Sequence, residues 1–290
     1  MDLVEALPGT PPDAQATVAR PRVGIGTWLA AGWLVVLVGA TVLAPVLPLR
    51  DPDVSNAAIA RTGPSAAAWL GGDANGRDVF ARVVFGARAS LLIGLGSIAI
   101  GTAVGGFLGL IAGYYRRRID AVIASVFDVM LSVPAIVLAL AFTVFLGPSV
   151  RNMVIALGVV AVPQLGRIVR ASTLSWSERE FVTAARSVGA RDGRIIVREV
   201  APNVLPALFA VALLGVGVAI VAEGGLSLLG AGVQAGTITW GTMIVGGVNE
   251  LVTAPSVVLS PATAMFLTVL ALNYLGDVVR SRLDVRESVL

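Results

Sequence analysis

The residue types that usually carry out chemistry are scarce in this chain of 290 residues. It contains no Cys and no His, and all 21 basic residues are Arg, so Lys is absent as well. Disulfides, Cys/His zinc sites, Cys or Ser-His nucleophiles and lysine Schiff bases each need a missing residue type. A phosphate-binding P-loop also needs its Lys. We therefore expect a chain that is not an enzyme, holds no cofactor or metal, and does not itself hydrolyse ATP through a P-loop.

Carboxylates in or beside apolar runs are the remaining candidates for chemistry, because charge is costly in a bilayer. Asp128 is either a pathway or proton-carrying residue, or a residue at a helix start that the helix dipole favours and that pairs with an Arg of residues 116–118. Glu223 either lines an outer gate or is an ordinary interfacial carboxylate. We add Asn273, in the last apolar run, as a third candidate for the pathway or gate.

The polar stretch from Arg167 to Pro202 is too long for a mere turn between two apolar runs. Ser177 and Glu180 form a capping-box pattern, which predicts a short helix that ends in a left-handed cap at Gly189. A second short helix is predicted for residues 192–198. Two short helices joined at a glycine would form a compact protrusion.

Three residues of the first short helix suggest what this protrusion does. Ala184 and Ala185 permit close approach of another backbone, and Phe181 supplies a bulky knob beside them. Such a helix suits insertion into a groove of a partner protein. The alternative is an amphipathic hairpin that lies on the lipid surface.

The composition indicates that these residues belong to a membrane protein. Hydrophobic residues make up 56% of the chain and charged residues only 13%, whereas soluble domains carry about 25% charged residues. The isoelectric point of 10.1 comes from short Arg-containing segments between long apolar runs. That arrangement favours a membrane topology, with lipid as a partner, over nucleic-acid binding.

Six uncharged runs are long enough for a helix of about 20 residues to cross a bilayer, and a seventh is shorter. Residues 147–149, Gly-Pro-Ser, form a tight turn before this short run. We interpret the glycine-rich run 224–249 as irregular or re-entrant, because glycine costs about 1 kcal/mol relative to alanine in a helix. The seven runs are 28–49, 89–115, 129–150, 152–166, 200–222, 224–249 and 251–276.

The arginines favour six spans with both ends inside. This topology places 15 arginines on the inner side and 6 on the outer side, in agreement with the positive-inside rule. A seventh span through the glycine-rich run would move Arg280, Arg282 and Arg286 outside. We expect an all-α polytopic membrane protein with six transmembrane helices.

The predicted organisation follows from these spans. Because the N-terminal segment lacks a basic start, the first span is expected to remain as a signal anchor. The outer segment after it contains Trp69 and Phe80 and is predicted to be ordered rather than a passive connector. The predicted segments are a cytoplasmic N-terminus (1–26), a first helix (27–49), an external segment (50–88), a five-helix core (89–279) containing the inner loop 167–200, and a cytoplasmic tail (280–290).

Several motifs resemble those of one family. In the inner loop, Ala184 and Ala185, then Gly189, then Pro202 have the spacing of the EAA loop of bacterial ABC importer permeases. The chain departs from that motif with Thr183, Glu199 and Ala201 in place of its Glu, Ile and Leu. The other stretches resemble the C-type permease subunit of dipeptide/oligopeptide importers. They are GGDANGRD at 71–78, GARASL at 86–91, LSVP at 131–134, EGGLSLLG at 223–230 and NYLGD at 273–277.

The resemblance implies a type I ABC importer permease fold in the bacterial cell membrane. It implies that the inner loop carries coupling helices, with Glu180, Phe181, Ala184, Ala185, Gly189 and Pro202 as the ATPase-coupling residues. It also implies four kinds of partner: a homologous permease subunit, two ATPase subunits or one fused ATPase that hold ATP and Mg²⁺, an extracytoplasmic binding protein, and lipid. The substrate would be a peptide, although similar subunits serve nickel chelates or other small solutes.

A proton-coupled secondary transporter is the rival from another class. It needs titratable groups along the pathway, and the chain offers Asp128 and Glu223. An intramembrane enzyme is a second rival, but the chain has no His, Cys or Lys with which to build an active site. Neither rival requires an inner docking loop, so the loop favours the importer.

Overall fold

The computed structural model describes residues 24–287, with side chains through Ser281. Most of residues 1–26 and the end of the tail, both predicted to be cytoplasmic, lie outside the described residues. The described part is nearly all helical. Its helices are α1 (Ile25–Leu43), α2 (Val79–Ile100), α3 (Gly106–Tyr115), α4 (Arg117–Ser132), α5 (Ala135–Leu146), α6 (Val150–Trp176), α7 (Glu180–Ser187), α8 (Asp192–Ile195), α9 (Ala201–Leu228), α10 (Trp240–Gly247) and α11 (Ser256–Glu287).

Within residues 24–287, five helical runs are long and apolar enough to cross a membrane, and α4 with α5 makes a sixth if that bent pair counts as one span. Two of the runs join helices through one turn of π-helix: α2 continues into α3 through Gly101–Gly105, and α8 continues into α9 through Ile196–Val200. The predicted number of six spans is thus reached, but only with the bent pair included.

The third predicted span is two helices rather than one. Helices α4 and α5 meet at an angle of 88°, at Val133 and Pro134. A proline disfavours the helical region for the residue before it, and Val133 is extended, with φ −92° and ψ 130°. The predicted single helix over 129–150 is therefore wrong, because Pro134 breaks it near its start.

Several predicted boundaries also differ from the helices. Helix α1 ends at Leu43, so the first span is shorter than 27–49. Helix α2 begins at Val79, which makes the last ten residues of the predicted external segment helical. At the other end, α11 continues to Glu287 and takes in most of the predicted tail.

The outer segment is ordered, as predicted. The Asp73 carboxylate accepts hydrogen bonds from the backbone N–H groups of Asn75 and Arg77 at 2.9 Å and from the Arg77 Nε at 2.8 Å. The rings of Trp69 and Phe80 pack with centroids 5.1 Å apart. A passive connector would have no such network.

The glycine-rich run does not form a span, which confirms that part of the topology. It consists of the end of α9, an irregular stretch over residues 229–239, and the short helix α10. Trp240 anchors α10 in the core: its indole Nε1 donates to the Val83 carbonyl at 3.0 Å, and its backbone N–H donates to Ser90 Oγ at 3.0 Å. Trp240 is fully buried.

Helices α1 and α11 run antiparallel. The start of α1 meets the second half of α11, where a Cβ at Gly26 would lie 2.7 Å from the Tyr274 hydroxyl. Further along, the Trp33 Nε1 donates to Thr268 Oγ1 at 3.1 Å. The beginning of α1 and the end of α11 therefore lie at the same end of the helical bundle.

Helix α9 is also antiparallel to α11. A Cβ at Gly276 would lie 3.1 Å from the Ala210 carbonyl, whereas one at Gly224 would lie 3.6 Å from Met265 Cε. The first half of α9, which follows α7 in the chain, is thus at the same end of the bundle as the start of α1 and the end of α11. This same-end placement is what six spans with both ends on one side require.

Candidate coupling surface and buried polar sites

Helix α7 is a separate short helix that the chain reaches after α6. Its inner side is anchored by Val182, which is fully buried and belongs to the main apolar core. Gly189 has φ +81° and follows the helix, and the next N–H, of Ala190, donates to the Ala185 carbonyl at 3.1 Å. The predicted left-handed cap at Gly189 is confirmed.

The two alanines of α7 face different surroundings. Ala185 is half-buried and packs against the main core, whereas Ala184 is exposed. Residues three and four apart share one face of a helix, so Ala184 lies with Phe181 and Val188, which are 38% and 85% exposed. We call Phe181, Ala184 and Val188 the outer face of α7. Its three side chains are apolar and the central one is small, and the exposed Glu180 and Ser187 border Ala184 on its other side.

The predicted capping box is wrong. The residue before α7 is Arg179, with no capping side chain, and Glu180 is exposed in the first turn. Ser177 instead ends α6, its N–H donating to the Thr173 carbonyl at 2.9 Å. The capping pattern fails because α6 runs to Trp176 and takes Ser177 into its own last turn.

The second predicted helix begins at Asp192 as expected, but its end at Arg198 is wrong. Residues 192–198 begin a continuous helical run that reaches Leu228 through α8, the π turn and α9. Because α6 extends to Trp176, the predicted loop over 167–200 shrinks to α7 and its two short flanks. Pro202 lies exposed inside this continuous run, just after the π turn rather than at a free helix start.

Tyr114 at the end of α3 contacts the segment after α7. Its hydroxyl donates to Asp192 Oδ1 at 2.7 Å, and the Arg186 guanidinium lies 5.2 Å from the centroid of its ring. Tyr114 is itself buried. The far flank of α7 is thereby fixed to the end of α3.

Arg116 contacts the segment before α7. Its Nη1 lies 3.0 Å from Glu178 Oε1, and its Nη2 donates to the Leu174 carbonyl at 3.3 Å. The near flank of α7 is therefore tied to the α3–α4 junction. Neither Tyr114 nor Arg116 was a candidate from the sequence, since no local pattern links them to residues some sixty to eighty positions away.

Asp128 is an ion-pair residue rather than an isolated carboxylate. It pairs with Arg167 of α6, and both side chains are more than half exposed. Asp120, two turns earlier on α4, pairs with Arg170, whose Nη2 donates to Asp120 Oδ2 at 2.7 Å. The prediction that Asp128 pairs with an arginine of residues 116–118 is wrong. Helix α4 packs along α6, which brings the arginines of α6 closer to Asp128.

Glu223 is fully buried on α9, so it is not an interfacial carboxylate. Its Oε1 accepts hydrogen bonds from Ser227 Oγ at 2.9 Å and from Thr239 Oγ1 at 2.8 Å. A Cβ at Gly241 would lie 2.7 Å from its Oε2. Glu223 thus fastens the irregular stretch and the start of α10 to α9, an arrangement that requires glycine at position 241.

Asn273 lies half-buried on α11, away from Glu223. Because Gly276 packs beside Leu214 and Ala210, Asn273 stands level with a part of α9 some ten residues before Glu223. At 1.5 Å rise per residue, that separation is about 15 Å. The structure does not bring these two candidates into one site.

An apolar cavity of about 250 Å³ lies between four helices and includes one wall from the bent pair. Gln164 of α6 is the polar residue of its lining, which otherwise comes from α2, α5, α6 and α9 and includes Ile98, Ile136, Ala139, Leu157 and Ala219. Within the described residues, no three carboxylates cluster as metal ligands would. The described geometry therefore offers a surface for a partner and an apolar cavity between helices.

The chain matches the family described as binding-protein-dependent transport system inner membrane component, over residues 105–289. It belongs to that family. This inner-membrane protein is accordingly a permease component of an ABC transport system, whose ATPase lies in separate subunits. The resemblance inferred from the motifs is confirmed.

Two curated relatives illustrate the relationship. The dipeptide transport system permease protein DppC of Alkalihalophilus pseudofirmus is 42% identical over 243 residues, which is 84% of this chain and 80% of that protein. The glutathione transport system permease protein GsiD of Pectobacterium atrosepticum is 39% identical over 222 residues, 77% of this chain and 74% of that protein.

A solved structure shows the same fold. A chain of the inward-facing MetNI methionine ABC transporter superposes with a TM-score of 0.58 at 20% identity, covering 69% of this permease and 96% of that chain. The expected importer-permease fold is confirmed. The difference in coverage leaves about a third of this chain without a counterpart there.

Proposed function

We propose that this permease forms the translocation pathway of an ATP-driven importer of dipeptides or oligopeptides, together with a homologous permease subunit. Two ATPase subunits, or one fused ATPase, hold ATP and Mg²⁺ on the cytoplasmic side, and an extracytoplasmic binding protein delivers the substrate. The outer face of α7 carries the proposal. It presents Phe181, Ala184 and Val188 on an anchored helix where an ATPase groove can receive them.

The peptide substrate is supported by the relatives, whose names specify dipeptide and glutathione transport. The test is uptake into proteoliposomes that contain the complete importer with ATP inside. We expect a labelled dipeptide to accumulate only with hydrolysable ATP, and to do so equally with a proton uncoupler present. Uptake that needs a proton gradient and no ATP would instead identify a proton-coupled transporter, and uptake of a nickel chelate alone would overturn the peptide assignment.

Sidedness can be tested because the chain has no cysteine of its own. We propose that α7 and both chain termini are cytoplasmic, so Val188→Cys should react with a membrane-impermeant thiol reagent only in inside-out vesicles. Gln234 and Asn75 are exposed at the other end, and cysteines there should react only in right-side-out cells. The reverse labelling pattern would contradict the topology.

A further inference from the structure

The junction between α3 and α4 has an unusual backbone. Arg116 has φ 54° and ψ −163°, and Arg117 has φ 50°. Residues other than glycine rarely adopt positive φ, and such strain persists only where the surrounding contacts enforce it. Here the enforcing contacts include those of Tyr114 and Arg116 with the two flanks of α7.

Beyond this junction, α4 leads towards the apolar cavity. The ion pairs of Asp120 and Asp128 tie α4 to α6, so these two helices are held together. After the 88° bend, α5 supplies Ile136 and Ala139 to the cavity wall. The strained junction therefore stands between α7 and the helices that line the cavity.

We propose that Tyr114 and Arg116 are positioning residues that clamp α7 to the α3–α4 junction and transmit its movement to the bent α4–α5 pair. This inference rests on the proposed role of α7 in ATPase docking. The Arg116–Glu178 pair is largely exposed, and exposed ion pairs contribute little alone. The clamp therefore depends on both flanks acting together, with Tyr114 as its buried half.

The test uses the double variant Tyr114→Phe/Arg116→Gln in the reconstituted importer. It removes the hydroxyl and the guanidinium but keeps the ring that Arg186 covers. The matched control is Tyr115→Phe/Arg118→Gln, the same two changes at neighbouring exposed positions. Three quantities are measured: ATPase co-purification, basal ATP hydrolysis, and molecules of substrate taken up per ATP.

We expect the clamp variant to retain co-purification and basal hydrolysis while uptake per ATP falls about fivefold or more, the usual size of coupling between sites. The control should match the wild type. Unchanged uptake per ATP would overturn the inference. A loss of ATPase co-purification as large as the loss of uptake would also overturn it, because the junction would then only support the fold. Ala184→Trp, which places a bulky side chain on the outer face of α7, tests ATPase docking separately. If this variant loses docking while the clamp variant fails either test, the proposed function stands without the clamp.

Discussion

Ala184→Trp should strongly weaken ATPase binding while leaving the permease folded. Ala184 is the exposed, small centre of the outer face of α7, and a tryptophan there would hold the partner groove away from Phe181 and Val188. Overpacking a close contact costs about 1 to 3 kcal/mol, which corresponds to about 5-fold to 150-fold in affinity. The measurement is co-purification of the ATPase with the detergent-solubilised variant, followed by dipeptide uptake after reconstitution.

Two further tryptophan variants separate docking from folding. Thr183→Trp adds the same side chain to an exposed position that points away from the outer face and should bind the ATPase normally. Ala185→Trp would instead clash with the main core, because Ala185 is half-buried there, and should lower the yield of folded protein. Normal ATPase binding by Ala184→Trp would remove α7 from the coupling role.

The sequence predicted the number and approximate places of the helical spans, with the bent pair counted as one, because the bilayer forces a strong pattern on them. A spanning segment must satisfy all its backbone hydrogen bonds internally, so long uncharged runs indicate helices. Glycine content alone does not identify the run that is not a span, because the spanning run 89–115 holds seven glycines. The distribution of arginines is what excluded the run 224–249. Gly189 was also predictable, since a left-handed cap strongly favours glycine. These are local constraints, readable from neighbouring residues.

Features set by distant contacts could not be predicted in this way. Ala184 is exposed and Ala185 half-buried because of the way in which Val182 is buried in the core. The ion-pair partner of Asp128 lies 39 residues away on α6. The bond from Trp240 to Ser90 spans 150 residues. The capping-box prediction failed for the same reason. Helix α6 extends to Trp176, and this extension decides the position of Ser177, not the local pattern.

The second large effect is expected where α3 packs on α6 through glycine. Gly109 is buried, and a Cβ there would lie 2.5 Å from the Gly166 carbonyl oxygen and 2.9 Å from Val169 Cβ. Both neighbours are held in α6, one of them by its backbone, so they cannot move aside cheaply. The two helices can approach this closely only without a side chain at position 109, as small residues permit between membrane helices.

Gly109→Ala should therefore destabilise the permease, by about 1 to 3 kcal/mol if overpacking has its usual size, and Gly109→Val should do so more severely. Gly32→Ala is the matched control, because a Cβ at Gly32 of α1 meets no atom within 4 Å. Thermal unfolding of the solubilised permease, followed as the monodisperse fraction after heating, measures the difference. Equal melting of Gly109→Ala and Gly32→Ala would contradict this packing.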